Sequence, residues 1–339
     1  MKKQVVFAAL FLVSSGLFAQ NEAMVTKLFQ EASPLEIQLS YSNKELRRDT
    51  NDSTYIDVEM KYKEAGEWKL LPVRLRARGN FRRAKCYFPP VKMKIKKSLS
   101  KGTLFEGNKK LKLVLPCMLE SNNNDNIEQE LLAYKLYEKI SPYHFKTRKV
   151  KITMLEQKGK KIKEHSLDGF LIEDDNLVAD RFEGKVFERY IHPLAMDADS
   201  SVKNAFFQFM IGNTDFSVAY QHNGKLLYID KKIIPLPYDF DMAGLVDASY
   251  ATVNTSLGIN SVKDRVYRGF KREDDVLESV RDHFLSLKPE LTAIVQGIKG
   301  DFDNEKEYAS TEEFFNSFYS VLEDDKAFKK KISDGVRTK

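Results

Sequence analysis

The segment from Phe206 to Asp247 determines how this chain is interpreted. It begins FFQFMIGNTDFSVAYQHN (206–223), continues through an apolar stretch, and ends PLPYDFDMAGLVD (235–247). Two groups of polar side chains each follow an apolar run: Asn213, Asp215 and Asn223, then Asp239 and Asp241. Because apolar runs are buried, these polar groups are expected where the chain leaves the core. Grouped oxygen ligands suit a hard cation such as Mg²⁺, so the segment predicts a metal-dependent site.

Asp239 and Asp241 follow the apolar residues 233–238, which predict a strand. Side chains two residues apart in a strand point to the same side of it. Two carboxylates on one side repel each other unless a cation lies between them, so both residues are predicted to be metal ligands. The alternative is that one of them caps a turn and the other is solvated.

Asp215 is expected on a loop, because Gly212-Asn213-Thr214 predicts a turn after a buried helix. One acid that positions an acceptor, with an Asn and an Asp that hold metal, are the parts of a phosphoryl-transfer site. The alternative is purely local structure: an Asx-turn at Asn213, and a hairpin turn at His222-Asn223-Gly224. His222 itself is interpreted as a hydrogen-bonded structural residue.

These motifs resemble those of the spore-coat CotH-type atypical protein kinases. Gly-Asn-x-Asp (212–215), His-Asn (222–223) and Pro-Tyr-Asp-Phe-Asp (237–241) follow Arg78-Gly79-Asn80 and Gly-Phe-Leu-Ile-Glu (169–173) in the same order. The resemblance covers roughly Val73 to Asp247, about half of the chain. It implies a two-lobed kinase-like α+β fold, and ATP as substrate with Mg²⁺ or Mn²⁺. It also implies transfer of the γ-phosphoryl group to a hydroxyl, on a protein acceptor not identified by the sequence.

The resemblance also implies roles for individual residues. Asp215 would orient the acceptor hydroxyl and take its proton, and Asp239 would bind the metal. Asp241 would support or share that metal, and Asn223 would be a second metal ligand. The spacing from Asp215 to Asn223 is longer than in ordinary protein kinases, and the chain has no Gly-x-Gly-x-x-Gly loop. These departures place the chain among the atypical kinases (phosphotransferases) or outside the kinases altogether.

The strand that carries Lys92, Lys94 and Lys96 is predicted to supply the lysine that binds the nucleotide. These lysines alternate with apolar residues, so they share one face, and a solvated face is the ordinary explanation. A lysine that contacts nucleotide would point into the cleft beside an acid of the inserted helix. Lys94 is expected to pair with Glu128, which borders the apolar stripe of that helix; Lys92 is the alternative lysine. Glu130 is expected to face solvent.

Two further positions are predicted to contact the nucleotide. Arg78 and Gly79 can approach phosphate, because glycine lets backbone N–H groups near an anion and arginine adds charge. Glu173 lies where the sheet half passes into the helical half, so it is expected to line the base pocket. The alternatives are a plain turn at the end of a strand and an exposed acidic turn.

The periodicity predicts an antiparallel, sheet-rich N-lobe over residues 35–173 and a mostly helical C-lobe over residues 174–325. An arm (20–34) precedes them and a charged tail (326–339) follows them, of which residues 329–339 are expected to fray. The helices expected from the 3.6-residue period are Ile127–Ile140, Ser201–Ile211, Asp274–Leu287, Leu291–Ile298 and Thr311–Leu322. Pro289 is expected to separate the third of these from the fourth.

The first 19 residues have the pattern of a secretory signal peptide. Lys2 and Lys3 precede the apolar run Val5–Val13, and Ser-Ser-Gly-Leu-Phe-Ala (14–19) follows, with cleavage expected near Ala19. The run is shorter than the roughly 20 residues of a membrane span, and no later segment qualifies. The protein is therefore predicted to be secreted, to the periplasm or beyond the cell surface, with no transmembrane segment in its mature form.

Composition excludes disorder and argues against nucleic acid. The chain has 339 residues, 42% hydrophobic and 31% charged, which is enough for a large buried core. Few aromatic residues lie within the basic run Arg74–Lys101, so it is not expected to bind nucleic acid. Cys86 and Cys117 are either paired, as export permits, or two separate buried thiols.

Two alternative functions remain at this point. One is a catalytically degenerate kinase-like fold that binds a ligand or a partner in the cell envelope. The other uses Asp239-x-Asp241 as in aspartate-nucleophile phosphatases or sugar-nucleotide transferases. That alternative is disfavoured, because such phosphatases carry the motif at the start of a doubly wound domain, whereas here it lies deep in the chain.

Overall fold

The computed structural model describes residues 24–338, except Asn80 and residues 119–122. The predicted signal peptide and Asn80 of the Arg-Gly-Asn motif lie outside the described residues. The strands are β1 (Leu35–Tyr41), β2 (Ile56–Glu64), β3 (Glu67–Ala77), β4 (Val91–Lys94), β5 (Lys110–Val114), β6 (Thr147–Lys158), β7 (Lys161–Ile172), β8 (Lys185–Val186), β9 (Gly224–Ile229) and β10 (Lys232–Pro237). The α-helices are α1 (Lys27–Gln30), α2 (Asn43–Asp49), α3 (Phe81–Lys85), α4 (Lys97–Ser100), α5 (Asn123–Ile140), α6 (Asp175–Asp180), α7 (Ala198–Met210), α8 (Asp274–Gly297), α9 (Glu305–Leu322) and α10 (Asp325–Phe328).

Strands β1 to β7 form a closed barrel in the order β1-β2-β3-β4-β5-β7-β6. The barrel closes because β1 runs parallel to β6, in a register that extends from Leu35 opposite Val150 to Tyr41 opposite Glu156. The expected fold class, a kinase-like antiparallel N-lobe sheet with a helical C-lobe, is therefore wrong. Alternation along a strand indicates which side chains are buried, but it does not specify which strand pairs with which.

The barrel interior is one apolar core. Alternate residues of its strands are almost fully buried, among them Ile37, Leu39, Val73, Leu75 and Met93. Their neighbours in sequence, such as Arg74 and Lys92, point to the outside, as the two-residue period of a strand requires. The long connection between β3 and β4 is fixed to the connection after β5 by a disulfide between Cys86 and Cys117. The two cysteines are therefore paired rather than separate thiols.

A second core joins helix α5 to the helices of the second half. It contains the aromatic side chains Phe206 and Phe207 of α7, Phe284 of α8 and Phe318 of α9. Helix α5 is buried on nearly all sides from Ile127 onward, because the barrel and the second-half helices both pack against it. It ends at Ile140 as predicted and begins four residues earlier than predicted.

Two local expectations in the second half are wrong. Pro289 does not end a helix, because α8 continues through it. Its buried side chains keep the helical spacing on both sides, from Leu277 to Phe284 and from Leu291 to Val295, so packing outweighs the cost of the proline. The tail also packs against the body, since Phe328 and Ile332 are buried.

Strands β8, β9 and β10 form a separate three-stranded sheet in the order β10-β9-β8. Strands β9 and β10 form a hairpin, in which they pair from Ile229 opposite Lys232 to Gly224 opposite Pro237. This hairpin carries Asn223 at its start and Tyr238 at its end, so it places the two polar groups of the sequence motif side by side. No helix among the described residues is long and apolar enough to cross a membrane.

Candidate functional site

The loop after helix α7 lies directly against the Asp-x-Asp segment. The backbone N–H of Gly244 donates to the carbonyl of Gly212 at 3.1 Å, and that of Leu245 donates to Ile211 at 2.9 Å. A Cβ atom at Gly244 would lie 2.5 Å from the carbonyl oxygen of Val262, so only glycine fits there. These two glycines explain why the Gly-Asn-Thr-Asp and Asp-Met-Ala-Gly motifs occur together: they let the two segments pack closely.

Asn223 connects the proposed catalytic acid to the Asp-x-Asp segment. Its side-chain N–H donates to the backbone carbonyl of Asp215 at 2.7 Å and to the Asp215 Oδ2 at 2.9 Å. Its own carbonyl accepts from the N–H of Tyr238 at 3.4 Å. Asn223 adopts the left-handed backbone conformation, with φ of 48°, which asparagine tolerates better than most residues. The predicted turn at 222–224 therefore places Asn223 against Asp215, so the turn and the predicted site do not exclude each other.

His222 also contacts the proposed catalytic acid. Its Nε2 lies 3.0 Å from the Asp215 Oδ1, and both side chains are partly exposed. Each oxygen of the Asp215 carboxylate therefore has one neighbouring side chain, His222 or Asn223. The Asx-turn expected at Asn213 is present as well, because its Oδ1 accepts from the N–H of Asp215 at 2.9 Å. The loop geometry fixes the backbone of Asp215 while its carboxylate remains 46% exposed.

Asp239 lies beyond the end of β10, so the argument that both acids share one side of a strand is wrong. Its φ is 66°, and its N–H donates to the hydroxyl of Tyr134 at 2.9 Å. Residues held in this conformation cost energy and often occur at functional sites. The Asp239 Oδ1 lies 3.6 Å from the Nη2 of Arg78, and the Asp239 side chain keeps 23% of its exposure. Asp239 is thus accessible and beside a cation.

Asp241 is buried in an ionic cluster with Arg82 and Glu130. The Arg82 Nη1 lies 3.6 Å from the Asp241 Oδ2 and 3.5 Å from the Glu130 Oε2. Burial raises the pKa of both acids, and Arg82 opposes that rise. The negative charge of Asp239 raises the pKa of Asp241 further, and a hydrogen bond with Tyr250 lowers it. The Asp241 Oδ2 and Glu130 Oε1 are buried without a hydrogen bond.

Glu130 was expected to face solvent, and that expectation is wrong, because its exposure is 1%. A helix buried on one stripe leaves its other faces to water, and the sequence argument assumed such a helix. Helix α5 packs on several sides, so an acid outside the main apolar stripe can still be buried. The contact that marks Glu130 as part of the ionic cluster is with Arg82, which lies 48 residues earlier in the chain. Sequence spacing does not reveal that contact.

The predicted pair of Lys94 and Glu128 does not form. The Lys94 Nζ lies 4.2 Å from the centre of the Tyr55 ring, and the Glu128 Oε1 lies 2.7 Å from the Lys149 Nζ. Burial raises the pKa of Glu128 to about 7, and the hydrogen bond with Lys149 opposes that rise. The alternative lysine, Lys92, points to the outside of the barrel.

Sequence reasoning missed Lys112, the residue of β5 directly opposite Lys92. Its Nζ is buried without a hydrogen bond, 4.5 Å from the ring centre of Phe145 and 4.6 Å from that of Tyr238. Burial lowers the pKa of Lys112 to about 8. It lies beside the residue that precedes Asp239, so it adds a cation without an acidic partner to the site. The apolar alternation around it predicted the strand but did not predict this environment.

Arg78 lies beside Asp239, and its predicted contact with phosphate stays a prediction, whereas Glu173 does not have the predicted role. The Nε and Nη2 of Arg78 are buried without hydrogen bonds, and Gly79 has a φ of 73° that favours glycine. Glu173 is buried, and its two oxygens accept from Arg181 at 2.6 Å and 2.8 Å. The N–H of Lys146 donates to it as well. Its carboxylate is therefore occupied in fixing the connection after β7 and is neither an exposed acidic turn nor free for a ligand.

The donor set fits a magnesium ion that is shared with a phosphate ligand. Among the described residues, no group of three or more His, Cys, Asp or Glu side chains is arranged to hold a metal. Mg²⁺ is nevertheless often bound by one or two carboxylates together with substrate phosphates. Asp239 and the Oδ2 of Asp241, which has no hydrogen bond, can supply those carboxylates, and Arg78 and Lys112 can contact the phosphates.

No protein-family model and no curated protein matches this sequence. The resemblance to CotH-type kinases therefore stays a prediction, and the function is argued from the site itself.

Proposed function

We propose that the protein binds ATP with Mg²⁺ or Mn²⁺ and transfers the γ-phosphoryl group to a hydroxyl, on a protein acceptor. The observation that carries this proposal is the chain of contacts from Asp215 through Asn223 to Tyr238 and Asp239. It links the exposed acid Asp215 to Asp239, whose Oδ1 lies 3.6 Å from the Nη2 of Arg78. Function depends on such a site and not on the fold class.

The cations of the site supply the phosphate contacts. Arg78 has two buried nitrogen atoms without hydrogen bonds, and Lys112 has one. A buried donor that lacks a partner costs free energy in the ligand-free protein, and an anionic ligand removes that cost. A bound Mg²⁺ would offset charge on the phosphates, with Asp239 and Asp241 as its carboxylate ligands.

Asp215 has the position of the general base. In the proposed reaction the acceptor oxygen forms a bond to the γ-phosphorus, and the bond from that phosphorus to the bridging oxygen of ADP breaks. The hydroxyl proton passes to the Asp215 carboxylate, and ADP leaves with the bridging oxygen. His222 and Asn223 orient the carboxylate through one oxygen each, and such orientation contributes to the rate by positioning. We further propose export to the periplasm or beyond, as the signal peptide predicts.

A second function, binding without catalysis, is favoured by two observations. Lys94 and Glu128 do not form the expected ion pair, and the amide N–H of Asn223 is used on Asp215. A phosphotransferase whose machinery has degenerated would keep the cations that bind a phosphorylated ligand and lose transfer. The two functions differ in one measurable property, which is phosphate on the acceptor.

The test compares three variants in the mature protein with labelled ATP and Mg²⁺ or Mn²⁺. Asp215→Asn keeps the size of the side chain and removes the proton acceptor, so nucleotide binding persists and transfer falls by roughly 10²- to 10⁴-fold. Asp239→Ala loses binding and transfer together. Asp282→Asn makes the same charge change at an exposed helical position and serves as the control.

Nucleotide binding is read as a thermal shift and transfer as phosphate on protein by mass spectrometry. A ligand at 100 times its dissociation constant adds about 2.7 kcal/mol of stability, which is readily detected. Transfer by Asp215→Asn at the wild-type rate would show that Asp215 is not the base. Wild type that shifts with ATP and Mg²⁺ but labels no protein supports the binding function, and the lack of any shift refutes both.

A further inference from the structure

The outer face of β3, β4 and β5 carries six basic side chains in two rows, which we call the basic ladder. The strand register places each row directly across the three strands. One row is Arg76, Lys92 and Lys112, with the Nζ of Lys112 buried at its end, and the other is Arg74, Lys94 and Lys110. Side chains opposite one another on adjacent strands interact, and like charges there are destabilising. The arrangement therefore costs stability in the absence of a bound anion.

Few acids neutralise the basic ladder. Asp52 lies 2.6 Å from Arg76, and Asp57 is opposite Arg74 on β2. Among the described residues, no carboxylate lies within ion-pair distance of Lys92, Lys94, Lys110 or Lys112 in the structure. Asp175 and Asp174 act on Lys112 only through longer-range attraction. At the centre of the basic ladder the cations contact an aromatic ring instead of acids. The cationic groups of Lys94, Arg76 and Arg74 lie 4.2 to 5.9 Å from the centre of the Tyr55 ring.

We propose that the basic ladder binds an acidic, extended segment of a polypeptide. Alternate residues of an extended chain are roughly 6.6 Å apart, which is also the spacing of the two rows along a strand. A segment with acids at alternate positions, running along the strands, can therefore place one carboxylate over each row. Neighbouring strands are about 4.8 Å apart, so each carboxylate lies within reach of more than one cation.

The basic ladder leads into the proposed active site. Arg74 and Arg76 lie on one side of β3, and Arg78, the first residue after that strand, faces Asp239. An acidic segment on the ladder would thus enter the site at Arg78. The assignment of that segment as the acceptor rests on the proposed function. Binding of the segment to the basic ladder does not depend on the proposed function. The specificity predicted is for a hydroxyl flanked by alternating acids.

The same surface fits a nucleic acid poorly. Single-stranded nucleic acids bind through bases that stack on aromatic rings within a basic groove. Tyr55 is the ring at the centre of the basic ladder, and its own neighbours Lys94, Arg74 and Arg76 already lie over it. The strands present a sheet face, on which a second extended polypeptide chain can lie along the rows.

Binding is measured by fluorescence anisotropy, without nucleotide, on a labelled peptide that alternates glutamate with neutral residues and carries one serine. Lys94→Gln with Lys110→Gln removes two cations from the row that is farther from Arg78, the row of Arg74, Lys94 and Lys110. We expect about tenfold weaker binding, since each exposed pair contributes up to about 1 kcal/mol. Lys161→Gln with Lys163→Gln makes the same change at exposed positions of β7 and should leave affinity unchanged. Added salt should weaken wild-type binding.

Three outcomes overturn the proposal. They are equal affinity in both double variants, no binding by wild type at low salt, and tighter binding of single-stranded DNA than of the acidic peptide. Because Lys94 and Lys110 lie opposite like charges, their replacement is not expected to unfold the protein; thermal unfolding of the variant checks this. If the peptide binds but is not phosphorylated when ATP and Mg²⁺ are added, the basic ladder stands and only its role as the acceptor site fails. The phosphotransferase proposal is tested separately by the labelling experiment, so the two failures are distinguishable.

Discussion

Replacing Lys112 by methionine separates the cost of burying its charge from its contribution to ligand binding. Methionine keeps an unbranched apolar chain and removes the amine. The Nζ of Lys112 is buried without a hydrogen bond, between the rings of Phe145 and Tyr238. We expect the Lys112→Met protein to be more stable than wild type at pH 7 and unable to bind ATP tightly.

The magnitude follows from the pKa of Lys112, which burial lowers from 10.5 to about 8. One unit of pKa corresponds to about 1.4 kcal/mol, so keeping the amine charged costs up to about 3.4 kcal/mol. Two cation–π contacts return about 0.5–1 kcal/mol each. The net gain in unfolding free energy at pH 7 is therefore about 2 kcal/mol for Lys112→Met.

The lowered pKa of Lys112 also determines how the free energy of unfolding changes with pH. Between pH 8 and 10.5 the unfolded chain binds the Lys112 proton and the folded protein does not, so wild-type stability rises with pH across that window. Below pH 8 the amine is charged in both states and the full cost applies. The stability advantage of Lys112→Met should therefore shrink as the pH is raised from 7 to 10.

Urea unfolding at pH 7 and at pH 10 measures both quantities, and Lys163→Met on the exposed part of β7 is the control. Thermal shifts with ATP and Mg²⁺ should persist in the control and vanish in Lys112→Met. The reasoning is refuted if Lys112→Met is less stable than wild type by the same amount at both pH values. In that case Lys112 packs as an ordinary structural side chain and carries no burial cost that a ligand could relieve.

Two further predictions concern stability. Burial lowers the pKa of His144 from 6.5 to about 4, so its protonation destabilises the fold as the pH falls through that window, by up to about 3 kcal/mol. His144→Asn should remove that part of the slope in urea unfolding between pH 6.5 and 4, and an unchanged slope would contradict the prediction. The disulfide Cys86–Cys117 spans 31 residues, so Cys86→Ala with Cys117→Ala should lower the unfolding free energy by about 3 to 4 kcal/mol; a loss below 1 kcal/mol would show that the crosslink constrains little.

The local structure of the barrel could be predicted from sequence, and its closure could not. Alternation at Leu35–Tyr41 and at Lys149–Leu155 correctly indicates strands. The parallel pairing between them depends on contacts more than 100 residues apart in the chain, which no short-range pattern encodes. The kinase-like expectation failed at this step, because it implied an antiparallel sheet, whereas β1 pairs in parallel with β6 and closes a barrel.

The sequence indicated the polar residues that follow apolar runs, but not the environments of Lys112 and Glu130. Asp215, Asn223 and Asp239 follow apolar runs, and that pattern is visible in the sequence. Lys112 and Glu130 lie within elements whose periodicity describes only the main apolar face. Their environments arise where Phe145, Tyr238 and Arg82 pack against them from other parts of the chain. Burial of a charged residue is a tertiary property, and sequence periodicity gives no direct signal for it.

The error in fold class leaves the proposed chemistry intact for a physical reason. The contacts that join Asp215 to Asp239 run through Asn223, Gly212 and Gly244, all within the second half of the chain. They do not depend on how the barrel strands pair. The barrel contributes the cations Arg78 and Lys112, so the site needs both halves. Asp215→Asn therefore tests the half that would take the proton, and Lys112→Met tests the half that would hold the phosphates. Loss of ATP binding in Lys112→Met, together with retained binding in Asp215→Asn, is the combination that a site shared between the two halves requires.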